Sequence, residues 1–288
     1  MDFEHRFRVP EKSFHLAGHD PADVAGLTKA DARVRRAADA RRLADLQERL
    51  YAEGRQALVV VLQGLDASGK DGTVKHVVGA MNPAGLAVSP FKAPSPIERA
   101  HDFLWREQVA LPPRGHIGVF NRSHYEEVVT VRVHPELLSG EAIDPSRARD
   151  PRFWERRFED IAAWERHLTR DGTRVVKFFL HISKAEQRRR FLARAERPDK
   201  QWKFSVHDVR EHRFWHEYQP AYEAALRATS TADAPWYVIP ADHKWFERTV
   251  VGAILVSHLE AMDPRCPTPS EEEHAAMLAA VAELRAED

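Results

Sequence analysis

The stretch Ala57-Leu-Val-Val-Val-Leu-Gln-Gly-Leu-Asp-Ala-Ser-Gly-Lys-Asp-Gly-Thr73 decides the fold. It opens on a continuous apolar run, Ala57 to Gln63, of the kind buried on both faces of a parallel sheet. Gly64 to Lys70 then satisfies G-x-x-x-x-G-K, and a helical pattern follows. In that context the loop amides wrap a phosphate, while the helix N-terminus and Lys70 add positive charge. Gly64, Gly69, Lys70, Gly72 and Thr73 are therefore candidate phosphate ligands, with Lys75 one turn further on.

Two departures from the usual loop are informative. Asp71 stands where a Ser or Thr would normally follow the lysine to hold Mg²⁺, and a carboxylate, Asp66, lies inside the loop. Hard cations prefer carboxylate oxygen, so Asp66 is a candidate metal ligand or a group that orients the attacking phosphate. The alternative is that Asp66 only caps the following helix.

Outward from the loop, four further segments read as buried strands: Leu86 to Phe91, His116 to Phe120, Arg174 to Ile182 and Trp236 to Pro240. Helical patterns separate them. One helix starts at Thr28 and runs to about Glu53, before Gly54. Ser95-Pro-Ile-Glu98 and Ser183-Lys-Ala-Glu186 read as capping boxes, and Asp150-Pro151 starts a helix that ends at Asp171-Gly172. Five strands separated by helices predict a parallel α/β sheet with helices on both faces and ligands at the carboxyl ends of the strands. Residues 1–27 read as an irregular lead-in. The expected organisation is an N-terminal segment and helix over 1–54, a phosphate-loop domain over 55–264 with a lid at about 184–210, and a tail helix over 265–288.

Past the third strand stands Phe120-Asn-Arg-Ser-His-Tyr-Glu-Glu127. A phosphate-loop enzyme commonly places an acidic metal ligand at a neighbouring strand end. Here Asn121 occupies it, Arg122 is suited to bidentate phosphoryl contact, and Glu126 follows one turn later. Lys184 to Lys203 holds eight basic residues against three acidic ones, in a chain whose net charge is −1. Beside a phosphate loop, that density predicts a cationic lid over a polyanion. Arg190, Arg194, Lys200 and Lys203 are its candidate ligands, and Lys92 joins them from past the second strand.

Composition excludes several classes. Cys266 is the single cysteine, so the chain holds no disulfide framework or cysteine-based metal site. No apolar stretch is long enough to span a bilayer, and the charged Met1 to Arg6 lacks a signal-peptide pattern, so the cytoplasm is expected. His212 and His216 share an i, i+4 spacing, but the surrounding Phe214, Trp215, Tyr218 and Tyr222 favour packing over zinc.

Gly64-x-Asp66-x-x-Gly69-Lys70-x-Gly72-Thr73, together with Phe120 to Glu126, resembles the polyphosphate kinase 2 family. His101-Asp-Phe-Leu-Trp-Arg106, Lys200-x-Trp202-Lys203-Phe204 and Ala234-Pro-Trp-Tyr237 extend the resemblance over roughly residues 5–264. It implies a P-loop kinase fold of the thymidylate-kinase type, three-layered with a helical lid. It also implies Mg²⁺-dependent transfer of phosphate from polyphosphate to nucleotides, with Mn²⁺ as an alternative ion. Catalysis would fall to Asp66, Lys70 and Arg122, with Asp66 coordinating the metal. Because Asn121 replaces the Asp of many relatives, the second metal carboxylate is left open, and Glu126 is the candidate read from this sequence. Asn121, Arg122, Glu126 and Arg106 are candidate nucleotide contacts. The Asn121 version of the second motif is similar to the branch that accepts both AMP and ADP, with GMP and GDP as further candidates. A homo-oligomer, dimer or tetramer, is expected, with no nucleic-acid or membrane partner. The competing readings are an ATP-dependent monophosphate kinase and a non-catalytic polyanion binder. The missing Ser/Thr after Lys70 and the long basic lid count against the first, and Asp66 in the loop against the second.

Overall fold

Ala57–Gln63 forms a strand (β1) whose seven residues are all buried, which is why its sequence shows no alternation. The computed structural model describes residues 1–10 and 13–287. Four more strands join β1: β2 (Leu86–Pro90), β3 (Ile117–Asn121), β4 (Thr173–His181) and β5 (Trp236–Pro240). They form one all-parallel sheet in the order β2-β3-β1-β4-β5. All five lie within a residue or two of the segments expected from sequence.

The principal helices are α1 (Lys29–Glu53), α2 (Lys70–His76), α3 (Pro151–Arg170), α4 (Lys184–Glu196), α5 (Val206–Glu211), α6 (Trp215–Thr229), α7 (Lys244–Met262) and α8 (Glu271–Ala286). The Thr28 side chain accepts from the Asp31 amide and Asp31 returns a bond to the Thr28 amide, so α1 starts on a full capping box. Leu43, Leu46 and Leu50 turn inward from α1, which packs along α7. Asp150 caps α3, whose Phe153, Trp154, Phe158, Ile161 and Leu168 are buried, and α3 packs with α6 and β4.

Three expectations are revised. The lead-in is not merely irregular: Phe3–Phe7 makes a helical turn, and Phe3, Phe7, Val9 and Phe14 enter the main core. Val9 donates its amide to the Trp236 carbonyl at 2.8 Å, so the segment lines the edge strand β5. Short polar spacing hid this, because only the tertiary contact with β5 organises it. Ser95 makes its capping box, yet the helix it starts lasts only from Pro96 to Arg99. At Ser183 only half the box forms, because Glu186 turns to Arg189 and Arg190 instead. The tail helix α8 is present and has no buried residue.

Candidate active site

At the end of β1 the chain must reverse sharply to feed α2. Gly64 adopts a φ of 146°, and a Cβ there would stand 2.7 Å from the Leu180 carbonyl oxygen, so only glycine fits. Lys70 opens α2 and is buried. Its ammonium donates to the carbonyls of Gly64 at 2.6 Å and Leu65 at 3.3 Å, which ties the loop across its mouth. Burial, and then the nearby Arg122 guanidinium, lower its pKa to about 8.

The sheet order sets β3 beside β1, with Leu62 paired to Asn121, so the two strand ends deliver their loops to one place. This is the crevice at which doubly wound sheets bind ligands. Arg122, the first residue past β3, takes a left-handed φ of 68° while its amide donates to the Leu62 carbonyl at 3.0 Å. Its guanidinium bonds Asp66 and lies 3.6 Å from Glu126. Burial would push the Asp66 carboxyl up, but Arg122 and Lys70 hold it below its usual range, so it is ionised at neutral pH. Glu126, and then Asp66 against the cost of burial, keep Arg122 firmly protonated.

Glu126 is itself fixed, accepting from Gln63 at 3.1 Å and from Thr130 at 2.6 Å. Asn121 points back to α2 and donates to Asp71 at 2.9 Å, while Lys203 of the lid reaches the other Asp71 oxygen at 3.3 Å. Asp71 therefore joins β3, the loop helix and the lid. Thr73 is wholly buried, and its hydroxyl donates to Glu247 of α7. Gly72 lies under the Arg248 guanidinium, and Lys75 is exposed on α2.

The lid residues divide. Arg190 is buried and faces inward, donating to the carbonyls of Ala67, Ser68, Ala241 and Asp242 and to Glu186. It braces the back of the loop, with Gln187 donating to the Asp66 carbonyl at 2.9 Å. Arg194 lies 3.8 Å from Asp208 and its charge reaches Asp66. Lys200 is half-buried and Lys203 exposed on the short helical segment Pro198–Lys203. The rule that ligands bind past strand ends points to residues 241–248 after β5 as well as to the loop after β1. Lys244, Glu247 and Arg248 stand there without a phosphate-binding motif to mark them in the sequence. Lys244 lies close enough to Arg190, Lys200 and Arg248 that, after burial, their charges lower its pKa.

On the opposite side of Arg122 opens a cleft of about 570 Å³, with an apolar wall that includes Phe91, Pro94, Phe103 and Leu137. Arg106, which also lines it, is buried: it donates to the Lys92 carbonyl at 2.7 Å and lies 3.4 Å from Glu127. Lys92 itself is exposed at the rim. Burial, then Glu141, raise Glu127 to about 7. The apolar wall, rimmed by polar side chains such as Glu98, Asp102, Arg106 and His207, suits a small organic ligand with charged or polar groups.

Among the described residues, no three His, Cys, Asp or Glu side chains gather closely enough to hold a cation by themselves. Mg²⁺ needs no such cage, since it usually takes one or two carboxylates and completes its shell with waters and substrate phosphates. Asp66 fits that role: it is ionised, and Arg122 occupies one of its two oxygens.

The chain matches the family model described as Polyphosphate kinase 2 over residues 26–267. It is 44% identical over 267 residues to the AMP/ADP-polyphosphate phosphotransferase of Meiothermus ruber, covering 92% of this chain and 96% of that one. It is 49% identical over 226 residues to the ADP-polyphosphate phosphotransferase of Rhodopseudomonas palustris, covering 78% of each. The crystal structure of polyphosphate kinase 2 from Arthrobacter aurescens TC1 superposes with a TM-score of 0.90 at 41% identity, over 98% of this chain and 97% of that one. With the phosphate loop, the Arg122 turn and the five-stranded sheet in the places described, this chain belongs to the polyphosphate kinase 2 family.

Proposed function

We propose that this chain moves a terminal phosphate of inorganic polyphosphate onto AMP and ADP, with Mg²⁺ held by Asp66 and, secondarily, Glu126. The enzyme is a polyphosphate–nucleotide phosphotransferase. The observation that carries the finer reading is Arg122, which stands between the phosphate loop on one side and the 570 Å³ cleft on the other. A nucleotide seated in the cleft would bring its phosphate to Arg122 and Asp66. A polyanion lying across the loop would meet Lys70, Lys200, Lys203, Lys244 and Arg248.

Phosphoryl transfer needs little covalent help from protein, only alignment of donor and acceptor and neutralisation of charge on the transferring group. Lys70 and Arg122 supply fixed positive charge, and the first amides of α2 supply donors. Asp66 orients the acceptor phosphate through the groups it binds. Mg²⁺ bound there would neutralise phosphate charge and align the two substrates. Arg190 belongs to the scaffold of the loop in this reading, not to the polyphosphate track, because its donors are spent on backbone carbonyls. GMP and GDP are proposed as further acceptors at the same cleft.

Product analysis tests the reading. Polyphosphate with Mg²⁺ is offered AMP, ADP, GMP and GDP in turn, beside ATP with AMP. Transfer from polyphosphate to both AMP and ADP is the expected result. Use of ADP with AMP untouched would remove the dual acceptor, and transfer only from ATP would remove polyphosphate as donor.

A further inference from the structure

A carboxylate stands behind the phosphate loop, where an anion is least expected. Glu247, near the start of α7, is wholly buried. One oxygen accepts the Thr73 hydroxyl, and the other lies against Gly69, where a Cβ would meet it at 2.8 Å. That second oxygen has no hydrogen-bond partner among the described residues. Gly69 and Thr73 bound the first turn of α2, closed by the Thr73 amide donating to the Gly69 carbonyl at 2.9 Å. The amides that begin this turn are the ones directed at a bound phosphate.

We propose that Glu247 is a positioning residue for phosphoryl transfer: by holding Thr73 and abutting Gly69 from behind, it fixes the turn that presents Lys70 and the loop amides to polyphosphate. The contact is specific in shape. A side chain on residue 69 would collide with Glu247, and Thr73 supplies the hydroxyl that meets it. Around the carboxyl, Arg190 approaches from α4, and Lys244 and Arg248 from α7 itself. Beyond them, His76 of α2 and Arg36 of α1 lie near Arg248, and Glu186 of α4 lies near Lys244. Arg190 gives its donors to the backbone and to Glu186 and not to Glu247.

This arrangement carries a signature. Burial raises the Glu247 carboxyl to about 7, against the opposing Thr73 bond and the cations. Below that pH the neutral acid leaves the positive field of the loop intact. Above it, a negative charge sits directly behind the helix N-terminus and opposes a bound polyanion.

The inference rests on the phosphate-loop reading and is separable from it. The experiment follows the KM for polyphosphate, with saturating ADP and Mg²⁺, from pH 6 to 8 in the parent chain and in Glu247→Gln. In the parent, KM is expected to rise roughly fivefold across this range. Gln keeps an acceptor for Thr73 and cannot ionise, so its profile should be at least twofold flatter. Superimposable profiles would overturn the proposal. A second pair guards against a variant that does not fold: Thr73→Ser should keep the parent's rise, and Thr73→Val should raise KM at every pH. Equal KM values for Ser and Val would also overturn it. A parent chain inactive with every nucleotide would instead remove the functional reading itself.

Discussion

Arg122 and Asp66, 56 residues apart in the chain, bond to each other across the mouth of the phosphate loop. The pair exists because β1 and β3 are neighbours in the sheet and end at the same level. Each partner keeps the other charged: Arg122 offsets the burial of Asp66, and Asp66 joins Glu126 in stabilising the guanidinium. A nucleotide phosphate and a cation entering here would meet charges already placed, which is the condition for electrostatic catalysis.

Asp66→Asn should therefore abolish most turnover while sparing the fold. Asn keeps the size of Asp and can still accept from Arg122, but removes the charge that draws Mg²⁺ and orients the acceptor. The expected loss in kcat is on the order of 10²-fold or more. Rates across a Mg²⁺ titration, read beside a cooperative melt, decide it. A variant retaining above about a tenth of parental kcat would remove Asp66 from the catalytic machinery and leave it only a partner of Arg122, since α2 starts at Gly69 with no side-chain cap.

Lys70 should set an alkaline limb. Its lowered pKa of about 8 means the free enzyme loses the loop's ammonium above that pH. The limb belongs in kcat/KM for polyphosphate, which reports free enzyme, and should move upward in kcat once bound phosphate stabilises the charge. For folding the sign is opposite: the unfolded lysine holds its proton to about 10.4, so this group's contribution to stability rises with pH between the two values. An alkaline limb unchanged in Lys70→Arg would assign it to another group.

The lid cations should separate into two behaviours. Lys200→Gln with Lys203→Gln should raise the KM for polyphosphate and make its salt dependence shallower, as removal of anion contacts does for nucleic acids. Arg190→Gln should instead lower the melting temperature and kcat with the salt slope intact, because it strips partners from the Ala67, Ser68 and Ala241 carbonyls. A matching loss of salt slope in Arg190→Gln would place it among the polyphosphate ligands.

Beneath the Arg122 turn, Lys177 on β4 and Glu165 on α3 form a fully buried ion pair, and Tyr125 donates to Glu165 at 2.8 Å. Lys177→Met alone would strand the carboxylate and should cost about 3–5 kcal/mol. At this chain length that lowers Tm by on the order of 10 °C. Lys177→Met combined with Glu165→Leu should recover most of the loss. Equal melting temperatures for single and double variants would show that the pair is not coupled.

Much of this protein is determined locally and is legible in one dimension. β1 reads as a buried strand because both its faces are covered, and the loop after it reads as a phosphate site because amide geometry there requires glycine at fixed spacing. The family motifs around Asp66 and Arg122 are legible for the same reason: each is a short segment whose chemistry depends on its own residues. What only the tertiary structure decides is which charges are spent. Arg190 and Arg194 share one helix and one residue type. Yet Arg190 is buried against four loop carbonyls, while Arg194 stands beside Asp208 with its charge reaching Asp66. Glu247 is equally illegible in the sequence, an ordinary carboxylate beside Arg248 that becomes meaningful only where α7 passes behind Gly69 and Thr73. The reason is physical. Propensity and loop geometry act over a few residues, whereas burial and pairing of a charge depend on elements brought together from distant parts of the chain.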